Sequence, residues 1–220
     1  MSAVLFGSMS TLADTSELQR EAFNRAFVEH GLDWSWDQEE YRAMLAASGG
    51  QDRIAQVAAR RGQDVDAAAV HATKSRLFQQ SLDGATLTPR PGVMEALGKA
   101  RADGWKVGLV TTTSPENVAA LLGALPLAAD DFDVVTDVTT VQMPKPDPAV
   151  YVHALNALGE TAGACVAVED NVGGAQAAVA AGLACLAFPN TNTAGLDFPA
   201  AAPRIDRLDV SDLHSVVARP

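Results

Sequence analysis

Glu169 and Asp170 stand side by side directly after the apolar run Ala164-Cys-Val-Ala-Val168. Two adjacent carboxylates at the end of such a run repel one another and call for a cation nearby. Mg²⁺ is the functional candidate, and Lys145 could be a purely structural one. Lys145 sits between Pro144 and Pro146, on a stiff loop rather than a solvated helix face. Thr111-Thr-Thr-Ser114 follows a second apolar run, Lys106 to Val110, and is itself followed by Pro115. Hydroxyls beside the free N–H groups and positive dipole of a helix start make an anion site best suited to phosphate. The plainer reading is an ordinary cap and turn. The loop Gly7-Ser-Met-Ser-Thr11, after the short run Ala3 to Phe6, offers hydroxyls and no charge.

These segments can act together only if one sheet brings their strands to a common edge. Ala3–Phe6, Lys106–Val110, Phe132–Thr136, Ala164–Val168 and Leu183–Phe188 read as strands. Between them come helices over about 91–103, from Ser114-Pro115, from Asp147-Pro148 to Leu158, and over about 172–181. Strand and helix alternate, which predicts an α/β fold with a doubly wound parallel sheet covered on both faces. Ligands in such sheets bind beyond the carboxyl ends of the strands, where all four candidate segments fall. Residues 15–85 carry no strand pattern. Ser16-x-x-Gln19 reads as a capping box opening a helix that closes at Gly31. Further helices are expected over about 37–47, 51–61 and 65–82. The chain thus divides into a core of residues 1–14 plus 86–220 and an inserted helical cap of residues 15–85. Trp34 and Trp36 flank a cap turn, where they either form an interaction surface or pack between cap helices.

With 220 residues, 48% of them hydrophobic and 20% charged, the composition is that of a soluble globular protein with a filled core. No apolar run approaches the roughly 20 residues that span a bilayer, and the N-terminus does not read as a signal peptide. The net charge of −11, with no Lys/Arg cluster, argues against nucleic acid and anionic membranes as partners. Cys165 and Cys185 lie in apolar runs and read as reduced core residues of a cytoplasmic protein rather than a disulfide or metal pair.

Thr111, Lys145 and Glu169-Asp170 occur in the order of three motifs of the haloacid dehalogenase (HAD) phosphatases, and the resemblance covers nearly the whole chain. Val168-Glu-Asp-Asn-Val-Gly-Gly-Ala-Gln-Ala-Ala178 and Lys145-Pro-Asp-Pro-Ala-Val-Tyr151 resemble subfamily I. Glu17 to Asn24, Gly31 to Asp37, Ser48 to Ile54 and Thr111 to Val118 are similar to the CbbY-like and β-phosphoglucomutase-like sugar-phosphate phosphatases. The resemblance implies a HAD-like Rossmannoid core with a helical cap. It also implies phosphate contacts from Thr111, Thr112 and Lys145, and Mg²⁺ held by Glu169 and Asp170.

The same resemblance exposes a departure. Where the family runs Asp-x-Asp-Gly-Thr-Leu, this chain reads Gly7-Ser8-Met9-Ser10-Thr11-Leu12. Gly7 stands at the nucleophile and Met9 at the general acid/base. Losing a covalent nucleophile costs on the order of 10⁶ in kcat and losing an acid/base group about 10²–10⁴. The first aspartate is also a metal ligand in the family, so Mg²⁺ binding is expected to be weak or lost. In that case Lys145 would pair with Glu169 or Asp170. Gln51 stands where relatives carry a cation facing a second phosphate, with Arg53 close by, and Gln19 replaces a common histidine. The expected function is therefore a protein without HAD catalysis that binds a phosphorylated small molecule through Ser8, Ser10, Thr111, Thr112 and Lys145, or regulates a partner. The alternatives are a Mg²⁺-dependent sugar-phosphate hydrolase using a non-standard site, with Ser8 or Ser10 as nucleophile, or an inactive partner of a heteromer. A histidine or carboxylate beside Ser8 or Ser10 would favour the hydrolase. His30, His71, His153 and His214 are expected on helices away from the strand ends, except as cap contributions.

Overall fold

The computed structural model describes residues 2–7, 9–45 and 49–217. Five parallel strands, β1 (Ala3–Phe6), β2 (Lys106–Leu109), β3 (Val134–Val135), β4 (Cys165–Glu169) and β5 (Ala184–Ala187), lie in the order β3-β2-β1-β4-β5. The central β1 pairs Ala3 with Lys106 on one side and with Cys165 on the other. Every residue of β1 and β4 is buried. Strands covered on both faces carry no polar alternation, which is why these two read as unbroken apolar runs. The winding direction reverses at β1, so the crevice beyond its carboxyl end is the natural ligand position.

Between β1 and β2 the chain forms α1 (Met9–Leu12), α2 (Ser16–Glu29), α3 (Gln38–Ala43), α4 (Gly50–Arg61), α5 (Ala67–Leu82) and α6 (Val93–Ala102). After β2 come α7 (Pro115–Gly123), α8 (Ala149–Leu158), α9 (Val172–Ala180) and α10 (Val210–Val217). Side chains start several of these helices. Asp37 accepts the Glu40 N–H, Asp66 that of Ala69, Ser114 that of Asn117 and Asn171 that of Gly174. Val4 and Phe6 face one apolar cluster, which continues through α6 and α7 into Phe23, Phe27 and Phe78 of the insertion. Ala3 and Leu5 face the other, against Val150, Tyr151 and Ala175 of α8 and α9.

The structure departs from several expectations. The strand predicted over 132–136 keeps only Val134 and Val135, because the turn Ala129–Asp131 precedes it and Thr136 turns its hydroxyl to Thr111. The predicted helix over 37–47 is shorter, Gln38–Ala43, with residues 46–47 outside the described residues. The segment expected as a polar loop after β1 contains the single helical turn α1. Ser16 and Gln19 do not form a capping box. Thr15 holds the N-cap position without a side-chain cap bond, and the Gln19 amide carbonyl accepts from Lys74 instead. Of the two options for Trp34 and Trp36, packing is found. They are 2% and 1% exposed and set edge-on against Phe27, so they form no docking surface. The buried cysteines are unpaired on β4 and β5. No described helix is long and apolar enough to cross a membrane.

Candidate ligand site at the strand ends

The carboxyl ends of β1, β2 and β4 meet around one ammonium group. Lys145 donates to the carbonyls of Gly7 and Val110, the latter at 2.7 Å, and to Glu169 Oε1 at 2.6 Å. The Tyr151 hydroxyl donates to the same carboxylate oxygen at 2.6 Å. Glu169 is fully buried, and burial holds its carboxyl above the usual carboxylate range against the opposing pull of the Lys145 ammonium. Burial first, and the neighbouring Glu169 charge second, push the Tyr151 phenol well up, so it remains a donor.

The Glu169 carboxylate lies in a slot between two glycines. A Cβ built on Gly7 would overlap the Glu169 carboxylate and the Tyr151 hydroxyl, and one built on Gly174 would overlap both Glu169 oxygens. Gly174 belongs to the start of α9, which Asn171 caps. Asp170 points the other way. Its Oδ1 accepts from Thr11 at 2.9 Å, its Oδ2 from Asn190 at 2.7 Å, and its backbone carbonyl from Thr193 at 2.6 Å.

A divalent cation at the acidic pair would require these oxygens and a clear approach. Glu169 is instead turned onto an ammonium and a phenol, and both Asp170 oxygens are taken by protein donors. Among the described residues no group of three or more His, Cys, Asp or Glu comes together that could hold a metal. Mg²⁺ here would have to displace the partners of Glu169 and Asp170, while Lys145 pairs with Glu169 directly. Lys145 also departs from its expected phosphate contact. Its three N–H groups are spent on three protein acceptors, so it offers a ligand charge but no free donor.

A cavity of about 860 Å³ opens between the strand ends and the insertion. Its floor carries Met9, Ser10, Lys145 and Asp170, with Thr111 to Ser114 leading into α7. Its opposite wall carries Gln19, Gln51, Arg53, His71 and Lys74. Ser8 lies outside the described residues. Ser10 is 3% exposed and bonded to the Thr15 hydroxyl at 2.9 Å. The Thr111 side chain turns back to accept the Thr113 N–H at 3.2 Å, while Thr112 is half-buried at the cavity edge. Asn117 ties floor to wall by donating to Thr113 and accepting from Gln79, both at 2.9 Å. Arg53 donates to the Met44 carbonyl at 3.2 Å and lies over the Phe23 and Tyr41 rings.

Tyr151, Asn190 and Lys74 escaped the sequence, and His71 enters as the cap contribution allowed for it. Tyr151 lies in the Lys145–Tyr151 stretch, but nothing there signalled that its hydroxyl would cap Glu169. Asn190 sits in the turn that follows β5, with no motif around it. His71 and Lys74 lie in an Ala-rich helix. Both reach the cavity because α5 packs against α2 and α7.

The doubly wound sheet, the helical insertion after its first strand, and the lysine and acidic pair at its edge define a HAD-like hydrolase. A family model described as haloacid dehalogenase-like hydrolase matches residues 1–182. The chain belongs to this family. Among curated relatives it is similar to protein CbbY of Rhodobacter capsulatus, 36% identical and covering 100% of this chain and 99% of the relative. It is likewise 36% identical to protein CbbY of Cereibacter sphaeroides, covering 93% of this chain and 91% of the relative. Among solved structures, CbbY from Rhodobacter sphaeroides in complex with phosphate superposes with a TM-score of 0.85 at 36% identity over 94% of each chain. A mutant form of that protein, solved with xylulose-(1,5)-bisphosphate, gives the same values.

Proposed function

We propose that this chain is a HAD phosphatase-like binding protein. In this reading it holds a phosphorylated small molecule in the cavity between strand ends and insertion, and does not hydrolyse it by the family's aspartyl chemistry. The observation that carries the reading is at Gly7. No side chain is available there to form a phosphoenzyme, and the space one would need is filled by Glu169. Met9, at the acid/base position, is buried and has no proton to give.

Binding is supported separately. The N-terminus of α7, with the Thr111–Ser114 hydroxyls, faces the cavity from one side, and Arg53 and Lys74 face it from the other. The related CbbY was solved with phosphate and with a sugar bisphosphate, and sugar phosphates are the ligand class we assign here. The helical insertion serves as the cap that closes over the ligand. Arg53 provides the cation at the far end, Gln19 and Gln51 being neutral.

The hydrolase reading with Ser10 as nucleophile lacks its base, since the neighbour of the Ser10 hydroxyl is Thr15 rather than a histidine or carboxylate. With Lys145 standing in for the cation, ligand binding is expected to need no Mg²⁺. Titration calorimetry with orthophosphate and with sugar mono- and bisphosphates, in EDTA and in Mg²⁺, tests the reading. Saturable binding unchanged by the metal is the expected result. No binding in either buffer, or binding only with Mg²⁺, contradicts it.

A further inference from the structure

Lys74, on the insertion wall of the cavity, holds a chemical property that anion binding alone does not require. It is 5% exposed and lines the cavity from α5. Its nitrogen donates to Gln19 Oε1 at 3.0 Å and lies 4.9 and 5.2 Å from the Phe23 and Phe78 ring centres. The chain has four lysines in all. Lys99 pairs with Asp103, Lys106 with Glu160 and Lys145 with Glu169. Among the described residues no carboxylate pairs with Lys74. The charged or titratable groups near it are Arg53 and His71. Burial first, and the Arg53 charge second, hold its pKa down to about 7. At neutral pH such a lysine is a free amine about half the time, against roughly one part in 10³ for an ordinary lysine. Gln19 positions the nitrogen through a neutral acceptor, where a carboxylate would keep it protonated.

We propose that Lys74 is a covalent capture site, whose amine forms an imine with the carbonyl of an aldose or ketose phosphate held in the cavity. This rests on the reading that the cavity takes a phosphorylated ligand, and it narrows that ligand to one with an open-chain aldehyde or ketone. The nitrogen lone pair adds to the carbonyl carbon and the C–O π pair moves to oxygen. A proton passes from nitrogen to that oxygen through solvent, giving a carbinolamine. The nitrogen lone pair then expels the hydroxyl group, which leaves as water after taking a solvent proton, and loss of the remaining N–H proton returns that proton. Amine and carbonyl are converted to imine and water, with no oxidation or reduction.

The test uses the full chain with glyceraldehyde 3-phosphate at neutral pH in the presence of cyanoborohydride, which reduces an imine to a stable secondary amine, followed by peptide mass mapping. Lys74 is expected to carry on the order of tenfold more label than Lys99 or Lys106. Unphosphorylated glyceraldehyde is expected to label it far less, and added orthophosphate to protect it. The Lys74→Arg variant removes the amine and should lose the phosphate-dependent label without raising that on Lys99 or Lys106. Label on Lys74 no greater than on the surface lysines overturns the proposal. If orthophosphate binding survives in that case, only the capture fails; if it is absent too, the ligand reading fails with it. Equal labelling by glyceraldehyde and its phosphate overturns the assignment to phosphorylated carbonyls.

Discussion

The carboxylate of Glu169 occupies the volume that any side chain on Gly7 would need. The two residues are far apart in sequence but sit at the ends of adjacent strands, β1 and β4, which pair in parallel register up to Phe6 and Val168. Gly7 has no positive φ, so space, and not backbone conformation, excludes a side chain there. Gly174 completes the slot from the other side, and Lys145 and Tyr151 hold the carboxylate in it.

A methyl group on Gly7 should therefore be costly. Gly7→Ala is expected to lose about 1–3 kcal/mol through overpacking, with a fall in Tm of roughly 2–4 °C per kcal/mol for a chain of this size. Glu169→Gly removes the larger of the two obstructions and leaves the Tyr151 hydroxyl, so the Gly7→Ala penalty measured in that background by urea unfolding should shrink without vanishing. A penalty of the same size in both backgrounds would remove Glu169 as the obstacle.

Lys145 and Glu169 should behave as one unit. Lys145→Met leaves a buried carboxylate with only neutral donors, the Tyr151 phenol and the Asn171 amide, and is expected to cost about 3–5 kcal/mol. Adding Glu169→Gln neutralises the orphaned charge and should recover part of that loss. Additive losses in the double-mutant cycle would show the two groups to be uncoupled.

Much of this arrangement was legible before the structure. The unbroken apolar runs of β1 and β4 announced a buried parallel sheet, and Thr111, Lys145, Glu169 and Asp170 do converge at its edge. The inward turn of Glu169 was not legible. It depends on a void at Gly7 and another at Gly174, and a missing side chain says nothing about which neighbour will fill its space. Gln19 misled because its amide reads as part of a capping box, whereas the burial of Lys74 leaves that amide as the ammonium's polar partner. Lys74 carried no signal because its burial is set by the packing of α5 against α2 and α7, not by neighbours in sequence, and His71 enters the cavity as the cap contribution its helix allowed.

His71 makes stability depend on mildly acidic pH. Burial first, then the charges of Lys74 and Arg53, lower its pKa to about 4 from an ordinary 6.5. Between these values the unfolded chain binds more protons at this residue than the folded one, so the part of stability that His71 governs is fully present above about pH 6.5 and falls as pH drops toward 4. Allowing for the partial exposure of His71, the loss is about 1–2 kcal/mol. His71→Gln should flatten that part of the profile in urea unfolding at pH 7.5 and 5. An unchanged slope would mean that His71 does not titrate as placed.

The anion contacts should separate cleanly from stability. Thr112→Val removes a half-buried hydroxyl at the cavity edge and is expected to weaken orthophosphate binding about five- to tenfold, one hydrogen bond's worth, with Tm nearly unchanged. Affinity equal to that of the unaltered protein would place the phosphate elsewhere in the cavity.

Phosphate release from a panel of sugar mono- and bisphosphates in saturating Mg²⁺ decides whether this site binds without turning over. Release no faster than the uncatalysed background is expected from every substrate that calorimetry shows to be bound. Release well above background from any of them, abolished by Asp170→Asn, would contradict binding without turnover and establish a hydrolase working without the family's nucleophile.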